Sequence, residues 1–346
     1  MSTDIFIVNI VLFIIGVYIL IKGSDIFVEG AASVARKYGV PDIVIGLTLV
    51  SIGTSLPELA TDIVAAKAGT PEIAMGVIPG SNIANVLLIL STAVILGKGL
   101  NIDQKVFRRD ALFMLFSFFV FAGMCYLPPG NWEFSRIDGI ILLVLFFGYT
   151  YRLLKDREVE DEEDDEAEEQ LSLGKSITFI LLGGIGVVVG ATLMVENVVW
   201  FAEKMKVPAE IISVTIVAIG TSLPELAVTV AGVKKGKKNI ALGNVIGSNT
   251  FNLILVMGVT GVIMPIPVGK EVGYIFIPLM LAVGLFLVLF MRTNWKISVK
   301  EGWIMMIAYI LFTCLNLYLI FNPIERKIQG NTQIEQTQLD DQVQEK

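Results

Sequence analysis

Ten stretches of this 346-residue chain are long and apolar enough to cross a bilayer: about 5–22, 41–67, 72–97, 109–127, 136–154, 175–197, 208–233, 239–265, 274–291 and 302–321. A spanning helix needs roughly 20 mostly apolar residues. Lipid offers the backbone no hydrogen-bond partners, so only helices and closed barrels span a membrane, and runs of this length are helical. The chain is 54% hydrophobic and only 17% charged, whereas a soluble domain carries about 25% charged residues. The expected fold is an all-α polytopic membrane protein with ten transmembrane helices. The second, third, seventh and eighth stretches are rich in Gly, Ser, Thr and Pro, so broken core helices are expected there. The first stretch reads as a retained span: Met1–Asp4 carries no Lys or Arg, whereas a secretory leader opens with a basic region.

The chain repeats itself at an offset of 167. PDIVIGLTLVSIGTSLPELATD at 41–62 and PAEIISVTIVAIGTSLPELAVT at 208–229 agree at 13 of 22 positions. Gly80-Ser81-Asn82-Ile83-Ala84-Asn85 recurs as Gly247-Ser248-Asn249-Thr250-Phe251-Asn252, with the spacing between the motifs kept. The halves descend from a duplication. Each holds five spans, and an odd number turns the second copy upside down. In inverted repeats the binding site lies near the midplane, between the matching interrupted helices. The expected organisation is a five-helix repeat over 1–155, with its duplicated core at about 41–97. An acidic linker follows over 156–174, then an inverted five-helix repeat over 175–322, with its core at about 208–265. A polar tail covers 323–346.

The net charge of −7 is concentrated in one place. Eleven acids lie between Asp156 and Glu169, and without them 22 acids face 26 bases. Such a run reads as a solvated, disordered connector, with a weak divalent-ion sink as the alternative. If the loops alternate sides, 18 Lys and Arg fall on one side and 8 on the other. The positive-inside rule then puts the richer side and the linker in the cytoplasm and both termini outside. The chain has no histidine, which excludes Ser-His triads, His-ligated metals and His proton relays. Cys125 and Cys314 each lie in an apolar run and suggest neither a disulfide framework nor a metal site.

In Gly53-Thr54-Ser55-Leu56-Pro57-Glu58, Pro57 has no N–H, so the Gly53 carbonyl loses its helical partner and the helix kinks. At membrane depth a freed carbonyl must find protein, water or an ion. Glu58 follows at once, and Gly220-Thr221-Ser222-Leu223-Pro224-Glu225 repeats the arrangement. An ionised carboxylate at the bilayer centre costs on the order of 2.5–3.5 kcal/mol or more, and neither glutamate has a Lys or Arg near it in its own span. A bound cation is the natural compensator. Carboxylates, freed carbonyls, hydroxyls and amide oxygens suit a hard cation such as Ca²⁺ or Na⁺ and do not suit Cu⁺ or Zn²⁺. Ser81 and Asn85, and again Ser248 and Asn252, stand four apart and share a helix face.

These paired motifs resemble the α-repeats of the cation/calcium exchanger superfamily, most closely its sodium/calcium exchanger branch, and the resemblance covers both halves. It implies ten helices in two inverted five-helix repeats around a four-helix core. It also implies a monomeric transporter of the cell membrane, surrounded by lipid, that carries Ca²⁺ and Na⁺ by alternating access. No enzymatic activity, no cofactor and no nucleic-acid partner are expected. By position, Glu58 and Glu225 become the shared Ca²⁺ and Na⁺ carboxylates, and Thr54 and Thr221 give carbonyls to Ca²⁺. Ser55, Ser81, Ser222 and Ser248, with the Ala218 carbonyl, line Na⁺ positions. Ser51 stands at the place of Ala218 in the first copy. Asn85 and Asn252 form the midplane polar pair. Asn252 replaces an acid of the archaeal-type pattern and of potassium-dependent exchangers, which argues against potassium co-transport. The Gly-Asn-x-x-Gly-Ser of the second copy (Gly243, Asn244) becomes Val77 and Pro79 in the first, so Pro79 is expected to add a kink and break the pseudo-symmetry. Asp62, where the second half has Thr229, reads as a solvated acid in an exit vestibule, with a cation relay as the alternative.

With only Glu58 and Glu225 ionised, the core carries −2 when empty, 0 with one Ca²⁺ and +1 with three Na⁺. Coupled exchange is expected, and it is electrogenic if three Na⁺ exchange for one Ca²⁺, as the resemblance implies. The runner-up is a Ca²⁺/H⁺ antiporter using the same two glutamates. A channel is disfavoured because filters come from rotational symmetry between subunits, and an intramembrane hydrolase at Ser55 or Ser222 lacks a base.

Overall fold

The computed structural model describes residues 3–37, 51–127, 132–155, 171–207, 209–234, 236 and 238–321. Residues 41–50 of the second expected span, the acidic run and the polar tail lie outside them. Helix α1 is Thr3–Lys37. Short α2, Ser51–Thr54, breaks at Ser55 and continues as α3, Leu56–Lys67. Helix α4 spans Glu72–Leu96 with a π-helical stretch at Asn85–Leu90. Helix α5 is Gln104–Tyr126 and α6 is Arg136–Lys155. The second half opens with α7, Leu173–Met205. Helix α8 begins at Ala209, passes through a π stretch and ends at Thr221. Beyond the break at Ser222 comes α9, Leu223–Lys234. Helix α10 runs from Lys238 through the π stretch Asn252–Met257 to Ile263. The chain closes with α11, Val272–Arg292, and α12, Val299–Phe321.

The breaks at Ser55 and Ser222 stand 167 residues apart, and so do the π stretches opening at Asn85 and Asn252. Pro79 lies within the α-helical part of α4. The helix runs on through it, and the departure from α geometry comes six residues later and is common to both halves. Pro79 therefore does not interrupt the helix. Among the described residues seven helices are long and apolar enough to span a membrane, and the α8–α9 pair, bent by 46°, makes up to eight.

The halves interlock. Strand β1 (Leu100–Asn101) pairs antiparallel with β4 (Lys296–Ile297), and β2 (Glu133–Phe134) with β3 (Ile266–Pro267). Helix α6 packs on α10, and α12 on α4. Lys238, at the start of α10, donates from Nζ to the Gly97 and Gly99 carbonyls at 2.5 and 3.2 Å. It thus satisfies orphan acceptors at the end of α4 with a cation of the sign the helix dipole favours.

Helix α1 continues fifteen residues past the expected boundary at 22. Lys22 and Asp25, one turn apart, pair at 3.1 Å on an exposed face, so the charges there do not end the helix. At 1.5 Å per residue α1 is about 52 Å long, well over the roughly 30 Å of a hydrocarbon core. It packs along α7. A Cβ on Gly23 would lie 2.6 Å from the Val187 nitrogen, and one on Gly190 would lie 2.4 Å from the Leu20 nitrogen. Gly16 faces Gly190 and Gly23 faces Gly183, so residue numbers rise along α1 as they fall along α7. The equivalent first helices of the two halves are antiparallel. Of the α4 span 94% is buried and of the α10 span 72%, against 22% for α1 and 28% for α7. Outward-facing Phe116, Phe119, Val144, Phe147, Leu181 and Phe286 are exposed, as lipid contact requires.

Candidate functional site

The proline break behaves in the first half as its chemistry demands. Pro57 stands in the first turn of α3. Ser24 of α1 donates from Oγ to the Gly53 carbonyl at 2.8 Å, replacing the helical partner that Pro57 cannot supply. The second half has Ala191 at the position of Ser24. Glu58 and Glu225 open α3 and α9, where the helix dipole favours a carboxylate. Both are fully buried.

Each carboxylate is walled by hydroxyls from both halves. Ser81 of α4 and Ser222 of the α8–α9 break each donate to Glu58 Oε1 at 3.2 Å. Neither Glu58 Oε2 nor either oxygen of Glu225 has a hydrogen-bond partner. By the repeat, Ser248 and Ser55 should serve Glu225 as Ser81 and Ser222 serve Glu58. Instead Ser248 Oγ pairs with Thr54 Oγ1 at 3.3 Å, and Ser55 Oγ is buried without a partner. Thr54 and Ser248 still face Glu225, so the two halves differ in how closely the hydroxyls approach the carboxylate.

The remaining expected residues lie on the broken helices and on the two helices with matching π stretches. Thr221 Oγ1 donates to the Val217 and Ala218 carbonyls at 3.2 and 3.3 Å, and the Ala218 carbonyl also accepts the Ser222 N–H at 3.1 Å. Ser51 opens α2, and its side chain lies outside the described part. Asn85 is buried with neither amide atom partnered. Asn252 donates from Nδ2 to Asn82 Oδ1 at 3.2 Å, and Asn82 donates to the Asn249 carbonyl at 3.4 Å. Asn82 and Asn249 were not among the expected site residues, although their recurrence at the fixed offset was a signal for them. Asn244 was likewise not expected as a contact. It donates from Nδ2 to the Glu225 backbone carbonyl at 3.2 Å and to Thr229 Oγ1 at 3.0 Å.

Gly80 permits this convergence, because a Cβ there would come within 2.4 Å of the Val214 carbonyl. Asp62 corrects an expectation. It is 0% exposed and neither oxygen has a hydrogen-bond partner, so it is not a solvated vestibule acid. Its helix turns that face inward, with Pro57, Glu58 and Thr61. The opposite face of α3 (Leu59, Ile63 and Val64 among others) lines an apolar groove of about 580 Å³ against α1 and α7 that none of the carboxylates reaches.

Among the described residues no three Asp, Glu or Cys side chains gather closely enough to hold a metal by themselves. Cation ligation here has to draw on hydroxyl, amide and carbonyl oxygens as well. The unpartnered buried oxygens of Glu58, Glu225, Ser55, Asn85 and Asn252 are hard donors of the kind Ca²⁺ and Na⁺ accept. Removing an ionised carboxylate from water costs several kcal/mol even after relaxation, and at Glu225 the facing hydroxyls of Thr54 and Ser248 offset only part of that cost.

Comparison with known proteins agrees with this chemistry. The family described as sodium/calcium exchanger protein matches residues 8–155 and 175–318. The chain is 35% identical over 348 residues to the sodium/calcium exchanger MaX1 of Methanosarcina acetivorans, covering 90% of this chain and 99% of that protein. It is 35% identical over 263 residues to the inner membrane protein YrbG of Escherichia coli, covering 73% of this chain and 79% of that one. Its fold matches the sodium-calcium exchanger NCX_Mj, studied after soaking with 2.5 mM Na⁺ and 10 mM Sr²⁺, with a TM-score of 0.61 at 33% identity. That match covers 88% of this chain and 97% of the other.

Proposed function

The chain belongs to the sodium/calcium exchanger protein family and is a multi-pass membrane cation antiporter of that type, not an enzyme; from this premise we propose that it exchanges Na⁺ for Ca²⁺ by alternating access at Glu58 and Glu225. The observation that carries the proposal is the pair of fully buried carboxylates at matching positions, with three of their four oxygens unpartnered. Thr54, Ser55, Ser81, Thr221, Ser222 and Ser248 supply hydroxyl or carbonyl oxygens, the Ala218 carbonyl and Ser51 add to them, and Asn85 and Asn252 close the midplane. Five spans per half, counting each broken pair as one, give ten helices in two inverted repeats: 1–155 and 175–322, joined by the linker 156–174. The linker faces the cytoplasm, and both termini, including the tail 323–346, lie outside. An uncharged Asn252 makes exchange independent of K⁺.

The charge count sets the coupling. Counting Glu58 and Glu225 alone, a core at −2 costs more to carry across the hydrocarbon than one at 0 or +1, so empty crossings are rare and exchange is obligatory. With three Na⁺ for one Ca²⁺, one charge crosses per cycle, worth about 2.3 kcal/mol per 100 mV. In vesicles clamped with K⁺ and valinomycin, a 100 mV change should therefore shift the Ca²⁺ gradient reached at steady state by roughly fiftyfold. A gradient indifferent to potential contradicts the electrogenic cycle.

A further inference from the structure

The two halves treat the turn after their glutamate differently. In the second half Thr229 receives the Asn244 amide at 3.0 Å. At the matching positions the first half has Asp62 and Val77. Val77 is buried and apolar and offers no donor. Thr61, beside Asp62, spends its hydroxyl on the Pro57 carbonyl at 2.7 Å. Asp62 is thus a carboxylate with complete burial, no hydrogen bond and, among the described residues, no ion pair. A structural acid would be held by donors, as Asp110 is held by Arg109 at 2.8 Å and by Tyr149 at 3.0 Å. An ionised carboxylate without donors costs several kcal/mol, and a cation removes that cost.

The position gives this acid a use. Asp62 stands one turn beyond Glu58 on the same buried face of α3, about 6 Å along the axis. Five residues further the helix ends at Lys67, and Lys67, Ala68 and Gly69 are exposed. Along α3 the carboxylate therefore sits between Glu58 and one end of the helix, and the matching position in the second half, Thr229, carries none.

We propose that Asp62 is a second cation position, present in one half only, which Ca²⁺ occupies between the α3–α4 end of the bundle and the central pair of glutamates. The inference rests on Na⁺/Ca²⁺ exchange at Glu58 and Glu225 and adds a side to it. In the orientation proposed above, this is the outer side. Occupied by Ca²⁺, Asp62 lowers the Ca²⁺ concentration needed from that side. The opposite path, lined by Thr229 and Asn244, has no such position.

The test compares Ca²⁺ dependence from the two sides, in right-side-out and everted vesicles. Asp62→Asn is the direct variant. Asp62→Thr combined with Val77→Asn gives the first half the arrangement the second half already folds with, and so serves even if the single variant is unstable. Both should raise the half-saturating Ca²⁺ about tenfold or more from the α3–α4 side, as loss of a charged ligand does, and leave the other side unchanged. Unchanged half-saturation on both sides overturns the proposal, and so does an equal rise, or a loss of exchange, on both. Unmutated protein without exchange would instead remove the central reading, and Glu58→Gln in the same vesicles marks that outcome.

Discussion

Glu225→Gln is expected to abolish Na⁺-driven Ca²⁺ flux, by on the order of a hundredfold or more, while the protein still folds. The same holds for Glu58→Gln. Gln keeps the shape of Glu and removes the charge. Burying that charge is what the folded state must otherwise offset, so neither variant should lower the thermal midpoint in detergent. Glu58 Oε1 accepts from Ser81 and Ser222 at 3.2 Å, and a Gln oxygen can accept the same bonds. Thr54 and Ser248 are the hydroxyls that face Glu225, and a Gln oxygen can accept from them as well. A stabilised but inactive protein is therefore the expected pair of results, measured by vesicle flux and by thermal unfolding. Retained flux in either variant removes that glutamate from the site.

The second large effect concerns stability. Gly190→Ala should lower the thermal midpoint sharply, whereas Gly184→Ala on the same helix should be neutral or slightly stabilising. The added Cβ at 190 would sit 2.4 Å from the Leu20 nitrogen and 2.7 Å from the Gly16 carbonyl. These are backbone atoms, which no change of rotamer moves aside, so α1 and α7 must separate. Overpacking of this kind costs about 1–3 kcal/mol, occasionally more. At Gly184 the nearest atom is Phe27 Cδ2 at 3.9 Å, and replacing a helical Gly by Ala gains about 0.5–1 kcal/mol. Equal midpoints for the two variants would contradict the close antiparallel packing of α1 on α7.

The duplicated parts of the architecture were the most legible in the sequence. A proline that cannot donate reports a distorted helix, and both breaks, at Ser55 and Ser222, fall inside the two Gly-Thr-Ser-Leu-Pro-Glu motifs. The unsatisfied Gly53 carbonyl was foreseen as a consequence, but its partner Ser24 was not. That bond joins residues 29 apart through packing, and local pattern does not encode it. The length of α1 was missed because Lys22 and Asp25 look like a span boundary until they are seen as one pair on one face. The glycines at 16, 23, 183 and 190 stand seven apart within each helix, yet their spacing does not say which helix they face. Pro79 stands inside an unbroken α-helix, and the π stretch at Asn85–Leu90 was not read from the sequence. Asp62 shows the same limit most clearly. Helix phase places it beside Glu58, but whether it meets water or a closed interior depends on what α4 and α10 bring opposite it.

The most direct measurement is uptake of radiolabelled Ca²⁺ into vesicles holding the purified protein, loaded with Na⁺ or with choline and with or without an acidic interior. The account predicts rapid uptake with internal Na⁺, none with choline, and no replacement of Na⁺ by the pH gradient. Uptake driven by internal acid without Na⁺ would contradict it and make the chain a Ca²⁺/H⁺ antiporter working through the same two glutamates.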